Sequence, residues 1–167
     1  MTDKIKLRAQ LRERMKSQTP EARHQAGVAV CAHLQTWLLQ HQHVALFRSL
    51  SDEIDTAPIV ELLRAQGITC YFPEMQASGE MRFVNLPHQS VILTPGLGFD
   101  LAGHRLGRGK GNYDRFLQQM RTEPDPPIAV GIAMDCQIVE DIPIDTHDQG
   151  VDMLCAPGLG LIKDFKR

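Results

Sequence analysis

The sequence lacks the features that mark membrane, secreted and nucleic-acid-binding proteins. No apolar run in its 167 residues approaches the length of a membrane-spanning helix, and the first residues are charged and polar, unlike a secretory signal. The formal net charge is only −2, so the chain has no excess of cations for a polyanion such as nucleic acid. These absences predict a cytoplasmic protein that has neither a membrane nor a nucleic acid as its partner.

The sequence also lacks a paired cysteine motif, because its four cysteines form no Cys-x-x-Cys pair. Cys31, Cys70, Cys136 and Cys155 are far apart in the chain, and three of them lie in apolar surroundings. This pattern favours buried free thiols over a zinc site or a disulfide framework. The chain has no internal repeat and no low-complexity segment. Its length predicts one domain over residues 1–167, large enough to bury a core without disulfides or a structural metal.

Apolar spacing and turn residues predict helices that alternate with strands. Helices are expected over 3–17, 20–40, 57–66 and 112–120. Strands are expected over 43–47, 68–72, 91–94, 128–133 and 153–156, with a hairpin around 77–79. Strands that alternate with helices of this length imply a mostly parallel sheet with helices on both faces. The predicted fold is therefore a three-layer α/β/α domain.

The most informative stretch of the chain is the loop 105–114, which reads Arg-Leu-Gly-Arg-Gly-Lys-Gly-Asn-Tyr-Asp. Its alternate glycines let the backbone turn tightly and point several N–H groups into one concavity, and the interleaved Arg108 and Lys110 attract phosphate oxygens. Asp114 adds a carboxylate, which beside phosphates is most easily tolerated as a Mg²⁺ ligand. The loop lies between a predicted strand and a predicted helix, the arrangement that binds anions in α/β folds. The pattern predicts a polyphosphate site.

Two better-known phosphate motifs do not fit this loop. A P-loop needs glycine five positions before Gly109, where the chain has His104, and a Rossmann fingerprint needs glycine where the chain has Asn112. From the residues alone, the loop is either a phosphate cradle or a surface turn with solvated charges. The role of Lys4 and Arg8 in the first helix is equally open, because charged stripes are common on solvated helix faces.

Several segments, in order along the chain, resemble the 5-formyltetrahydrofolate cyclo-ligase family. They are Lys4-x-x-Leu-Arg8, Asp52-Glu-Ile-Asp-Thr56, Pro95-Gly-Leu-Gly-Phe-Asp100, the loop 105–114, and Gln137 with His147-Asp148. The resemblance spans residues 4–156 and implies a three-layer α/β ligase. It further implies that ATP and Mg²⁺ are used to convert 5-formyltetrahydrofolate into 5,10-methenyltetrahydrofolate, with release of ADP and phosphate.

The resemblance also implies roles for individual residues. Nucleotide contacts fall on Lys4, Arg8, Arg105, Leu106, Gly107, Arg108, Gly109, Lys110, Gly111, Asn112 and Tyr113. Folate contacts fall on Arg48, Glu53, Asn112 and Tyr113, and the metal ligands on Asp114 and Asp148. The implied catalytic residues are Arg108, Lys110 and Tyr113. Without the resemblance, simpler interpretations apply to the three carboxylates. Glu53 is then a carboxylate in a turn, Asp114 an acidic residue favoured at a helix N-terminus, and Asp148 an acidic residue in a loop.

Three features depart from the family pattern. Asn112 stands where the family usually has a second aromatic residue before Tyr113. Arg48 stands beside the first predicted strand, where the family is typically apolar. Only residues 86–90 separate the strands that contain Phe83 and Val91, and this connection, which helps to wall the substrate site, is generally longer in the family.

The implied chemistry needs substrate alignment and charge neutralisation rather than a covalent nucleophile. Two other function classes stay open, namely an ATP-using enzyme with a different substrate and a nucleotide- or folate-binding protein without turnover. The presence of both Asp114 and Asp148 argues against the binding protein, which has no need of a metal pair. We expect a monomer whose partners are small molecules, a reduced folate and ATP.

Overall fold

A six-stranded sheet forms the centre of the computed structural model, which describes residues 3–165. The helices are α1 (Asp3–Lys16), α2 (Pro20–Leu38), α3 (Ala57–Ala65) and α4 (Asn112–Met120), with a 3₁₀-helix at Asp135–Gln137. The strands are β1 (His43–Ala45), β2 (Thr69–Tyr71), β3 (Glu74–Met75), β4 (Met81–Arg82), β5 (Val91–Thr94), β6 (Gly98–Phe99), β7 (Arg105–Leu106), β8 (Ile128–Ile132), β9 (Met153–Ala156) and β10 (Gly160–Ile162). Within this part of the chain, no helix combines the length and apolar character that crossing a membrane would require.

The order of the strands identifies where a ligand site is expected. The sheet runs β10-β9-β8-β5-β1-β2, and all its pairs are parallel except β9 with β10. The chain goes from β1 outward to β2 and then returns to form β5 on the other side of β1. In such sheets, ligands bind outside the carboxyl ends of the strands at the point where the winding changes direction. Here that point lies between the segments that follow Ala45 and Thr94.

The alternation of side chains along each strand gives the sheet two covered faces. On one face, Val44, Leu93 and Val130 belong to a core that α1, α2 and α3 cover. On the other face, Ala45 and Ile92 pack with α4 and the hairpin of β3 and β4. The predicted three-layer α/β fold is confirmed, although the second outer layer consists of one helix and a hairpin.

Most predicted elements match the structure closely, and side chains cap the first turns of α2 and α3. Strands β5 and β9 and helix α4 begin and end at the predicted residues. At α2, the Thr19 hydroxyl caps the helix by accepting a hydrogen bond from the Ala22 N–H at 3.0 Å. At α3, the carboxylate of Asp55 accepts from the Ala57 N–H at 2.9 Å, whereas the Thr56 hydroxyl makes no cap bond. Of the two residues before α3, only Asp55 therefore caps the helix with its side chain.

The four cysteines are free thiols, as the sequence predicts. Cys155 is buried, whereas Cys31, Cys70 and Cys136 are only half-buried. Burial raises the pKa of the Cys155 thiol to about 12. A thiol that stays protonated at neutral pH is a poor nucleophile, so Cys155 has a packing role.

Helix α2 approaches the start of α3 so closely that it requires a glycine at the contact. A Cβ added to Gly27 would overlap the Asp55 carbonyl oxygen and lie 3.6 Å from Cδ of Pro58. Alanine favours a helix by about 1 kcal/mol over glycine, but overpacking a buried contact costs about 1–3 kcal/mol. The atom that the new Cβ would meet here belongs to the backbone, which cannot rotate away as a side chain can.

We expect Gly27→Ala to lower the free energy of unfolding by about 2 kcal/mol in denaturant titration. The control, Gln35→Ala on the exposed side of α2, should change it by no more than about 0.5 kcal/mol. A Gly27→Ala protein as stable as the wild type would contradict this packing.

Candidate functional site

Two adjacent cavities lie where the winding of the sheet changes direction, and the glycine loop 105–114 forms a wall of both. The first, of about 350 Å³, has a mainly apolar lining that includes Phe47, Leu50 and Pro95, and is called the apolar cavity below. The second, of about 330 Å³, is lined by charged and polar groups of α1, α4, the glycine loop and residues 145–148, and is called the polar cavity. Four residues line both cavities: Arg105, Gly107, Gly111 and Asp114.

Two glycines allow the loop to turn between the hairpin of β6 and β7 and helix α4. Gly109 has φ +106° and Gly111, the residue before α4, has φ +67°, a region that other residues rarely adopt. The loop lies against α1, where Arg8 Nε donates to the Gly107 carbonyl at 3.0 Å and Arg12 Nη2 donates to the Arg108 carbonyl at 3.1 Å. The cationic stripe of α1 therefore holds the loop through its carbonyl groups.

Arg105 is the most buried cation of the loop and lies in the wall that the cavities share. Its side chain is 3% exposed, and its Nη2 donates to Asp114 Oδ1 at 2.7 Å while Nη1 donates to the Pro95 carbonyl at 3.2 Å. Its guanidinium carbon is 5.7 Å from the centroid of the Tyr113 ring. Its Nε is buried and has no hydrogen-bond partner among the described residues. A buried donor of this kind is what an oxygen of a bound ligand would satisfy.

The apolar cavity contains two buried polar groups of opposite hydrogen-bonding character. The Tyr113 hydroxyl has no partner within residues 3–165, and burial raises the pKa of this phenol, so it stays protonated and can donate. Glu53 is 7% exposed, and its Oε2 accepts from the Leu50 N–H at 2.9 Å. Burial raises the pKa of Glu53, although the Leu50 N–H and Arg108 act in the opposite direction. The cavity therefore offers a ligand one donor and one acceptor on apolar walls.

Arg108 and Lys110 line the apolar cavity and do not line the polar one. Arg108 donates to Asp52 through both terminal nitrogens, at 2.6 and 3.2 Å, and to Glu53 through Nε at 3.2 Å. Lys110 is exposed, and its carbonyl accepts from Arg115 at 3.0 Å. The sequence assigns both cations to the nucleotide, and that assignment stays a prediction, since the structure directs Arg108 to carboxylates of the loop after β1.

All four residues assigned to the folate line the apolar cavity. Arg48 is exposed, and its guanidinium carbon lies 4.4 Å from the centroid of the Phe72 ring. Asn112 lies near the β3–β4 hairpin, with its Nδ2 at 3.9 Å from the Met75 sulfur. The structure thus brings one predicted set to one cavity: Arg48, Glu53, Asn112 and Tyr113.

In the polar cavity, Lys4 joins helix α1 to residues 145–148. Its ammonium binds Asp145 at 2.6 Å and also binds Asp148. Burial opposes the charge of Lys4, but the bonds to the two carboxylates outweigh it and raise the pKa of Lys4. Burial likewise opposes ionisation of Asp148, yet Lys4 and the Asp145 N–H hold the pKa of Asp148 below its usual value. The cavity therefore combines ionised groups of both signs at neutral pH.

The residues predicted to hold Mg²⁺ fit such an ion. Asp114 and Asp148 line the same cavity, and Asp114 Oδ1 accepts from Arg105 and from the Gln149 N–H at 3.0 Å. Mg²⁺ is usually held by one or two carboxylates that phosphate oxygens and water complete, and the cavity supplies two carboxylates for such a set. Arg105 and Lys4 neutralise these carboxylates in the structure.

Sequence reasoning missed four charged residues at or beside the two cavities: Arg12, Asp52, Arg115 and Asp145. Arg12 had a detectable signal, because it continues the stripe of Lys4 and Arg8 at a spacing of four. Asp52 lies in a segment that carries the family resemblance, yet nothing in the sequence shows which cation it binds. The remaining two are charged residues in a helix and a loop, where solvated charges are common.

The doubly wound sheet with two cavities at its switch point defines an α/β protein with a candidate ligand site. A family model described as the 5-formyltetrahydrofolate cyclo-ligase family matches residues 1–91 and 84–157. The 5-formyltetrahydrofolate cyclo-ligase of Escherichia coli K12 is 30% identical over 177 residues, which cover 88% of this chain and 96% of the relative. That of Mus musculus is 31% identical over 183 residues, covering 87% and 89%. The chain belongs to the 5-formyltetrahydrofolate cyclo-ligase family, a family of ligases.

Two solved structures share the fold. That of a 5,10-methenyltetrahydrofolate synthetase from Mycoplasma pneumoniae superposes with a TM-score of 0.81 at 24% identity and covers 93% of this chain and 99% of its own. The NMR structure of the Aquifex aeolicus 5,10-methenyltetrahydrofolate synthetase gives 0.78 at 24% identity, covering 99% and 96%. At this level of identity the likeness concerns the fold, and it confirms the α/β architecture.

The family match consists of two parts that overlap at residues 84–91, a stretch that contains the short connection 86–90. The alignment with the Escherichia coli relative spans 177 positions but covers only 88% of the 167 residues, so the relative has residues that this chain lacks. In the structure, β4 ends at Arg82 and β5 begins at Val91, and the residues between them form no further strand or helix.

Proposed function

We propose that the protein uses ATP to cyclise 5-formyltetrahydrofolate to 5,10-methenyltetrahydrofolate, with release of ADP and phosphate. The observation that carries this proposal is the wall formed by the glycine loop between an apolar and a polar cavity, with Arg105 buried in it. A reaction in which an oxygen of one substrate takes a phosphoryl group from another requires adjacent sites. Membership of the cyclo-ligase family supports the choice of the two substrates.

The linings of the cavities favour one substrate each. The apolar cavity suits the flat ring system of a reduced folate, because Phe47 supplies apolar contact, Glu53 accepts hydrogen bonds and Tyr113 donates one. The polar cavity suits a triphosphate, because it gathers Lys4, Arg8, Arg105 and Arg115 beside the start of α4. A helix N-terminus adds partial positive charge to such a site.

The proposed reaction has two steps. The formyl oxygen on N5 attacks the γ-phosphate, so an O–P bond forms while the bond to ADP breaks. N10 then attacks the formyl carbon and loses its proton, the five-membered ring closes, and phosphate leaves with the former formyl oxygen. Arg105 neutralises charge at the transferred group, and the glycine loop keeps the substrates aligned. The protein needs no covalent nucleophile for either step.

Asp114 and Asp148 are the proposed holders of Mg²⁺, and that ion supplies charge neutralisation at the phosphates of ATP when it is bound. Asp145 offers Lys4 a second carboxylate at 2.6 Å, so Lys4 keeps a partner at the cavity when Asp148 binds a metal. The proposed unit is a monomer in the cytoplasm.

A related ATP-dependent enzyme with a different substrate is the second candidate. Arg48 favours it, because this exposed cation lines the apolar cavity at a position that is typically apolar in the family. A smaller or more anionic substrate than folate would suit such a cavity. A protein that binds nucleotide or folate without turnover is the third candidate.

Release of ADP from Mg²⁺-ATP, measured with and without 5-formyltetrahydrofolate, separates these candidates. We expect release that depends on the folate. Release that depends on another compound would support the second candidate, and binding of ATP without any release would leave the third. The control is Asp114→Asn, because ADP release that is equally fast in this variant would come from a contaminating ATPase.

A further inference from the structure

We propose that Asp52 is a positioning residue, which holds Arg108 at the apolar cavity and thereby supports folate binding. This inference rests on the proposed function and extends it to a side chain that lines neither cavity. Asp52 acts on the site only through its partner Arg108, which does line the apolar cavity. It is therefore distinct from Glu53, its neighbour, which lines the cavity itself.

The bond between Asp52 and Arg108 has the geometry of a specific clamp. Arg108 Nη2 and Nη1 donate to the two carboxylate oxygens of Asp52 at 2.6 and 3.2 Å, and its Nε donates to Glu53 at 3.2 Å. The side chains of Arg108 and Asp52 are 30% and 21% exposed, so water screens the pair only in part. Two parallel bonds to one carboxylate fix the plane of a guanidinium as well as its position.

The bonds from α1 hold the loop backbone, but they do not set the direction of the Arg108 side chain. The next residue, Gly109, has φ +106° and no side chain to pack, and α1 holds only the carbonyl groups of Gly107 and Arg108. Asp52, in contrast, belongs to a closed turn, in which the Glu53 N–H donates to the Leu50 carbonyl at 3.0 Å. The clamp thus joins the guanidinium of Arg108 to the turn after β1.

The same clamp limits how strongly Arg108 binds Glu53. Arg108 is shared by two carboxylates, and Asp52 receives two of its three bonds. Without the Asp52 carboxylate, Glu53 becomes the main partner of Arg108, and the guanidinium then competes with a ligand for the Glu53 oxygens. The expected loss of affinity concerns the ligand of the apolar cavity, because Arg108 does not line the polar cavity.

The first test compares the two KM values of Asp52→Asn. We expect KM for 5-formyltetrahydrofolate to rise about tenfold, the loss of a charge-assisted hydrogen bond, and KM for ATP to change less than about threefold. Asp52→Ser also removes the carboxylate and should raise KM for folate, but not KM for ATP, in the same way. Asp52→Glu keeps the carboxylate and should retain most of the affinity for folate. Glu13→Gln, which removes a carboxylate from an exposed pair with Lys16, should leave both values unchanged. A purely structural role would instead lower thermal stability and alter both KM values.

The second test asks whether Asp52 acts through Arg108. In an Arg108→Ala background, Asp52→Asn should change KM for folate by less than about twofold, because its partner is gone. A tenfold effect that persists in this background would overturn the proposal, as would an unchanged folate KM in the single variant. If the wild type shows no folate-dependent ADP release, the proposed function and this inference both fall. If the wild type is active and Asp52→Asn behaves like it, only the inference falls.

Discussion

Replacing Asp114 with asparagine is expected to lower turnover by about 10²–10³-fold, and Asp148→Asn should do the same. Asparagine has the shape of aspartate but not its charge, so each change removes a proposed Mg²⁺ ligand without opening a cavity. Both carboxylates line the polar cavity, where the phosphates of ATP are proposed to lie. Steady-state kcat at saturating ATP and folate measures the effect.

The double variant tests whether the two carboxylates serve one ion. If they do, Asp114→Asn combined with Asp148→Asn should lose much less than the product of the two single losses, because the first change already removes the function of the second. Fully multiplicative losses would show that the residues act independently. Asp164→Asn, which changes an exposed acid outside both cavities, should leave kcat unaltered.

Replacing Arg105 with alanine is expected to lower kcat/KM by about 10²–10³-fold for both substrates. Arg105 is the cation that lines both cavities, so its loss should weaken binding on both sides, unlike the one-sided effect expected for Asp52. The change also leaves Asp114 without its ion-pair partner, which should lower the free energy of unfolding by about 2–3 kcal/mol.

Arg105→Lys separates the charge of Arg105 from its shape. Lysine keeps the cation but cannot reach Asp114 and the Pro95 carbonyl with two ends of one planar group. We expect about tenfold lower kcat/KM with most of the stability retained, as measured by thermal unfolding and steady-state kinetics. An Arg105→Ala protein with altered KM for ATP alone would place Arg105 on the nucleotide side only and contradict its place in the shared wall.

The elements that the sequence predicts best are those with a strong local signal. Strand β5 is a short apolar run that Pro95 ends, and α4 begins directly after the glycine loop, so both appear where expected. Strands β6 and β7 are two residues each, too short for any periodicity, and they pair only because the chain reverses between them. Strand β10 is a three-residue antiparallel edge that includes Gly160, and it too has no detectable pattern.

The sequence indicated which segments come together at the candidate site, but not how their residues divide between the two cavities. The segments that carry the resemblance lie far apart in the sequence, and residues from α1, the glycine loop and the region around Asp148 do meet in one cavity. Which cavity a loop cation faces depends on partners that are distant in sequence. Arg108 faces the apolar cavity because Glu53, 55 residues earlier, and its neighbour Asp52 follow β1, which lies next to β5 in the sheet. A contact of that kind follows from topology and from side-chain geometry, and neither is encoded locally.

Formation of the methenyl product by the wild-type protein tests the central proposal most directly. The product has its own absorbance, so it can be followed while ADP is measured in the same reaction with Mg²⁺-ATP and 5-formyltetrahydrofolate. We predict that methenyl product and ADP appear in equal amounts and that neither forms when ATP or the folate is left out. A protein that binds both ATP and 5-formyltetrahydrofolate yet gives no methenyl product at high folate concentration would contradict the proposed reaction.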